Sequence, residues 1–170
     1  GATSAADEIT SFTVATSGDA NGGTTVLDMD DLDAEGATFS TFSIDLKGNY
    51  GSSDIDTITA KNLGDVSLVV DGNGTTLAVE KFIINEGTTS SVGNVTINTG
   101  AAFDGGSNLI NNTDGFITTG ATGSVGNVSI TSTGATTIAD GADEEFITDA
   151  VTVGDITLNV TAAAGSIDLG

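Results

Sequence analysis

The sequence predicts an all-β fold, a parallel β-solenoid-like stack of repeats about 30 residues long with an irregular N-terminal cap, and three observations predict it. A seven-residue phrase occurs four times: Asn62-Leu63-Gly64-Asp65-Val66-Ser67-Leu68, Ser91-Val92-Gly93-Asn94-Val95-Thr96-Ile97, Ser124-Val125-Gly126-Asn127-Val128-Ser129-Ile130 and Thr152-Val153-Gly154-Asp155-Ile156-Thr157-Leu158. Successive copies lie 29, 33 and 28 residues apart, a period that marks stacked units covering one another's apolar faces. Inside each phrase aliphatic and hydroxyl residues alternate, as in Val95-Thr96-Ile97, the period of a half-buried strand. The palette agrees with both. Seven Phe and Tyr50 are the only aromatics, so Val, Ile, Leu, Ala and Thr must build the core, while 24 Gly and no Pro suit many turns.

Residues 1–53 are the less regular part and read as an N-terminal cap or small β subdomain, with strands at Phe12-Thr13-Val14, Thr25-Val26-Leu27 and Phe39 to Leu46. Solenoid ends need such cover or a partner. Residues 54–170 form the repetitive domain, opening with a strand from Ile55 to Thr59. There each phrase is followed by an acidic glycine turn and then a second apolar strand. Val66–Val70 leads through Asp71-Gly72-Asn73-Gly74 to Phe82-Ile83-Ile84, and Val95–Asn98 through Asp104-Gly105-Gly106-Ser107 to Phe116-Ile117-Thr118. Val128–Thr131 leads through Asp140-Gly141-Ala142-Asp143 to Phe146-Ile147-Thr148. The Gly-Asn or Gly-Asp inside each phrase reads as a corner, glycine admitting positive φ and Asn or Asp bonding its own backbone two residues on. An antiparallel β-sandwich or jelly roll is the alternative, since it too shows short strands and frequent turn signals. The units return in the same order rather than mirrored, which favours the solenoid.

The charge balance narrows function. Twenty-four acidic residues against three Lys and no Arg give a net charge of −21, which repels phosphate backbones and anionic headgroups and argues against nucleic-acid binding. The same charge opposes compaction, so bound divalent cations, Ca²⁺ foremost, or a well-solvated acidic face must offset it. Without Cys there is no disulfide, thiolate nucleophile or cysteine zinc site, and without His no imidazole base. No apolar run reaches the length of a helical bilayer span, so membrane insertion is not expected.

Two groups of carboxylates are candidate Ca²⁺ ligands. Asp28, Asp30, Asp31 and Asp33, with Glu35, form the densest acidic run. Its alternation resembles an EF-hand loop, but Asp33 stands where that loop needs Gly and Phe39 where it needs Glu. A solvated acidic loop is the other reading. Asp71, Asp104, Asp140 and Asp143 occupy equivalent turns that stacking would bring about 4.8 Å apart, close enough to require cations or hydrogen bonds between them. The ordinary preference of Asp-Gly for turns explains them without metal. Asn73, Asn94, Asn108, Asn111, Asn112 and Asn127 are placed to form side-chain ladders along the stack. Outward hydroxyls and amides (Thr59, Thr96 with Asn98, Ser129 with Thr131) offer a face for glycan or ice. Carboxylate pairs abound and none stands out, so no catalytic residue is assigned and an enzyme is not expected.

The string Asp54-Ile55-Asp56-Thr57-Ile58-Thr59-Ala60-Lys61-Asn62-Leu63-Gly64-Asp65-Val66-Ser67-Leu68, with its echoes to Leu158, resembles the repetitive body of bacterial surface-layer proteins and related large calcium-binding adhesins. That resemblance implies export to the cell surface, Ca²⁺-dependent ordering and assembly with copies of itself into a lattice or filament. The Gly-Gly-x-Gly-x-Asp nonapeptide of RTX calcium rolls is absent; Asp104-Gly105-Gly106-Ser107-Asn108 and Asp71-Gly72-Asn73-Gly74 are partial echoes.

Overall fold

A computed structural model describes residues 8–16, 28–46, 53–70, 76–83, 89–100, 102–105, 115–138, 145–161 and 165–168, with 76–83 as backbone alone. Among the described residues there are fifteen strands and no helix. The first are β1 (Glu8–Thr16), β2 (Asp28–Met29), β3 (Leu32–Leu46), β4 (Ser53–Val70) and β5 (Thr76–Ile83). Next come β6 (Val95–Thr99), β7 (Ala102–Gly105), β8 (Ile117–Thr118), β9 (Ser124–Val125) and β10 (Val128–Ser132). The last are β11 (Thr136–Ile138), β12 (Ile147–Thr148), β13 (Thr152–Val153), β14 (Ile156–Val160) and β15 (Ile167–Asp168).

Every pairing among these strands is parallel, which rules out the antiparallel sandwich or jelly roll. Parallel neighbours cannot be joined by a hairpin, so the chain coils and each strand returns beside its predecessor as a β-solenoid. One face runs β1-β3-β4-β6-β10-β14. Its register aligns Phe12, Phe42, Val66, Val95, Val128 and Ile156 in one inward column and Val14, Ile44, Leu68, Ile97, Ile130 and Leu158 in the next. The rest of each coil carries the first half of β4, then β5, β7 with β8, and β11 with β12, with β15 beside β11. Residues 28–46 belong to the same stack, through β2 and β3 beside β4.

A strand as long as β4, with 18 residues, persists because it bends rather than ends. It buries Ile55, Ile58, Ala60, Leu63 and Val66, and between them fall consecutive unburied pairs at 56–57, 61–62 and 64–65. Two outward residues in succession break the period of two, so the backbone turns and both arms aim their aliphatic side chains into one core.

The corner glycines act differently from the sequence expectation of positive φ. Gly36 alone among the described glycines has positive φ, at 79°, and it lies within the β3 bulge where register shifts between Ala34 and Thr38. The repeat glycines instead permit close approach between coils. A Cβ on Gly93 would lie 2.7 Å from the Gly64 carbonyl carbon, and one on Gly126 would lie 2.7 Å from that of Gly93. One on Gly64 would fall on the Ser40 carbonyl oxygen. The Asn and Asp beside them likewise bond the neighbouring coil rather than their own backbone.

The core is aliphatic with aromatic inserts. Phe12 stacks on Phe42 at 4.8 Å, and Phe39 meets Phe42 edge-on at 6.3 Å. Toward the other end Phe116 stacks on Phe146 at 6.1 Å and meets Phe103 edge-on. Two of the three Phe-Ile phrases thus align, whereas register sets Phe82 opposite Ile117, one position out of step. Full burial of each such side chain contributes roughly 1.5–3 kcal/mol.

Candidate functional site: an amide ladder and an acidic face

The corner after each glycine carries a continuous side-chain ladder. Asp65 Oδ1 accepts from the Asn94 backbone N–H at 3.0 Å and from Asn94 Nδ2 at 3.1 Å. Asn94 Oδ1 then accepts from the Asn127 N–H at 3.0 Å, and Asn127 Oδ1 from the Asp155 N–H at 2.9 Å. A second ladder starts each phrase: Asn62 Oδ1 accepts from the Ser91 N–H, and Ser91 Oγ from the Ser124 N–H, both at 3.0 Å. An amide suits this position because it offers donor and acceptor together, so each Asn can serve the coils on both sides. Of the Asn residues expected in ladders, Asn94 and Asn127 form one; Asn73, Asn108, Asn111 and Asn112 lie outside the described residues.

The second feature is acidic. Register sets Asp28 opposite Asp54 and Met29 opposite Ile55, and the same spacing sets Asp30 level with Asp56 before Leu32 meets Ile58. The strands that carry these carboxylates lie about 4.8 Å apart. Such pairs repel by roughly 1 kcal/mol in water and by more where solvent is partly excluded. Asp28, Asp30, Asp31 and Asp33 are exposed, whereas Asp54 and Asp56 are half-buried. Partial burial, then the charges of Asp54, Asp31, Asp30 and Asp28, raise the Asp56 carboxyl above its ordinary range. Asp54 Oδ1 is shut off from solvent and accepts no hydrogen bond. Asp31 Oδ1 accepts the Thr57 N–H at 3.1 Å, so this carboxylate also stitches two coils together.

The sequence-derived candidates thus fall into two sets. Asp28, Asp30 and Asp31 come together with Asp54 and Asp56 on one face, and Asp33 continues along β3. Asp104 lies in β7, opposite Ala78 and Thr137 in register. Asp71, Asp140 and Asp143 lie outside the described residues. Sequence reasoning passes over Asp54 and Asp56. Their signal is the recurrence of Asp-apolar-Asp, as Asp28-Met29-Asp30 and Asp54-Ile55-Asp56.

Ca²⁺ takes six to eight oxygen ligands, and among the described residues no group of three or more carboxylates converges as a metal cage. On the acidic face, Asp54 Oδ1 is the oxygen left with neither solvent nor a hydrogen-bond donor. Among the described residues no helix is long and apolar enough to cross a membrane. No protein-family profile, curated protein or solved structure matches the chain.

Proposed function

We propose that this chain is a structural, self-assembling subunit of an extracellular surface layer or filament, ordered by Ca²⁺ that neutralises its acidic surface. One observation carries the reading: the last described coil leaves apolar side chains uncovered. Val153 is 41% exposed and Ile156 45%, while their counterparts one coil earlier, Val125 and Val128, are 3% and 0% exposed. An open parallel edge with uncovered apolar columns is a template for another chain. The net charge of −21 opposes that association, and the facing Asp28/Asp54 and Asp30/Asp56 pairs are where Ca²⁺ relieves it most. The cell-surface setting follows from the resemblance to surface-layer proteins and calcium-binding adhesins. Electron microscopy of the purified chain tests the reading: ordered particles form with millimolar Ca²⁺ and disperse in chelator. A chain that stays monomeric under both conditions would sink it.

A second reading has its own observation. Register aligns Thr13, Ser43, Ser67, Thr96, Ser129 and Thr157 in one outward column, a hydroxyl about every 4.8 Å along the stack. That spacing suits an adhesin module gripping glycan or ice through a flat face. A monomer that is retained on immobilised glycan, and loses retention on Thr96→Lys, favours this reading over assembly.

A further inference from the structure

We infer, resting on the adhesin reading, that the outward strip of β6, β10 and β14 is a shallow trough that takes an extended, uncharged, β-linked glycan. β10 has a paired strand on each side, so the trough lies inside the stack. Register sets Ser129 between Thr96 and Thr157, and Thr131 between Asn98 and Asn159. In both rows the middle strand carries the smaller side chain. Thr96, Asn98, Thr157 and Asn159 are exposed, whereas Ser129 and Thr131 are half-buried between them. The floor is five residues long, about 17 Å, and the flanking strands lie about 9.6 Å apart, a width that admits a single sugar chain.

The polar groups of this strip are unspent. Elsewhere the same residue types bond within the chain: Asn94 to Asp65, Thr133 to the Gly100 carbonyl, Ser132 to Thr136 and Thr161 to the Ser132 carbonyl. Among the described residues, none of the six strip side chains makes such a bond. Hydroxyls and amides donate and accept, as the hydroxyls of a sugar do, so bonds can run both ways across the contact. The methyls of Thr96 and Thr157 add apolar contact for the C–H groups of a sugar ring.

Charge sets the ligand class. The two arms of β4 differ: the first carries Asp54 and Asp56, the second Ser67 and Val69 on the outward face. From Ser67 and Val69 the two outward columns run to Thr157 and Asn159 without a charged residue, in a chain of net charge −21. Asp65 and Asp155 border the strip at the corner, so a uronate or sulfated chain meets repulsion there and a neutral chain does not. A β-linked chain extends as a straight ribbon and can follow a strand, whereas the α-linked chain of starch coils away from it. Each exposed hydrogen bond adds little, so retention on a polymer, where many sites act together, is the sensitive readout.

Retention of the full chain on amorphous cellulose, starch and polygalacturonate tests this, with circular dichroism to check that each variant is folded. The wild type is retained on cellulose, is eluted by cello-oligosaccharide, and passes through starch and polygalacturonate. Ser129→Phe, which fills the floor, and the double change Asn98→Ala with Asn159→Ala each weaken retention about tenfold, the scale of two modest hydrogen bonds. If Ser129→Phe does not fold, the Asn pair carries the test. Thr13→Phe, in the same hydroxyl column but outside the trough, leaves retention unchanged. Retention that survives both strip variants overturns the trough and leaves the adhesin reading standing. Equal retention on starch or polygalacturonate overturns the ligand class. Retention on none of the three removes the glycan site, and the adhesin reading falls with it unless the chain slows ice growth.

Discussion

Two regions of this solenoid stack like residues on like, with opposite consequences. At the corner from Asp65 to Asp155, each coil lays a carboxamide or carboxylate over the next, and the result is an unbroken run of hydrogen bonds. At the acidic face from Asp28 to Asp56, each coil lays a carboxylate beside a carboxylate, and Asp56, through partial burial first and then these charges, holds its proton more tightly. Backbone spacing is the same in both. The difference lies in the side chain: an amide gives and accepts, an ionised carboxylate only accepts. Repetition along a parallel stack therefore multiplies whatever one side chain does to its own copy. Asn94 uses both roles, its Nδ2 donating to Asp65 and its Oδ1 accepting from the Asn127 N–H, whereas Asp65 is purely an acceptor.

The largest effect should come from breaking the close approach that brings the ladder into register. Gly93→Ala places a methyl 2.7 Å from the Gly64 carbonyl carbon and 3.0 Å from the Asp65 nitrogen, all backbone that cannot step aside. Destabilisation of about 3 kcal/mol, the upper part of the usual range for overpacking, is expected in chemical denaturation. Gly36→Ala is the matched control outside the ladder. It sets an alanine at φ of 79° and should lose about 1–2 kcal/mol. Equal losses at the two positions would mean that conformation, not contact, selects glycine in the repeat.

A smaller change converts one region into the other. Asn94→Asp keeps the acceptor for the Asn127 N–H but removes the Nδ2 donor and sets a carboxylate against Asp65. The loss should be about 1–2 kcal/mol at neutral pH. Acid should return part of it, because protonation gives the variant's carboxyl an O–H donor in place of the lost amide N–H and removes its charge. Asn94→Ala loses both bonds and should show no such recovery, which denaturation curves at pH 4 and pH 7 would separate.

Legibility in the sequence tracks regularity of offset. The ladder residues are 29, 33 and 28 apart, and those same separations are the spacings of the repeated phrase, so Asn94 and Asn127 can be named from sequence alone. The N-terminal coils use other offsets. Glu8 meets Thr38, Asp28 meets Asp54, and Thr38 meets Asn62, separations that share no period and so leave no repeat to read. Asp54 and Asp56 escape notice for that reason. The glycines are visible but misleading, because a local rule about φ does not reach a constraint set by the backbone of a residue one coil away. Parallel topology is legible from the order of the units; which face each acid joins is not, because that depends on the corners at 56–57 and 61–62.

The smallest effect sharpens the comparison from the acidic side. Asp56 has a folded-state pKa above its ordinary value of 3.8. Above the folded pKa its charge disfavours the folded chain; as pH falls through that value toward about 3.8, the folded chain takes up the proton first and stability rises. Below 3.8 both states are protonated and the gain stops. Partial burial sets most of this response, and the charges of Asp54 on its own strand and of Asp31, Asp30 and Asp28 on the preceding coil add to it. On the following coil β5 brings Lys81 beside Thr57 and Glu80 level with Asp56. Asp56→Asn replaces an acceptor-only group by an amide beside Asp30, importing the logic of the ladder. It should raise stability at pH 7 by no more than about 0.5 kcal/mol, the scale of a surface substitution, and flatten the gain on acidification. Thermal melts from pH 4 to pH 7 read both. A variant that melts below the wild type at pH 7, with the acid response intact, would show that this face is held by carboxylate hydrogen bonds rather than strained by carboxylate charge.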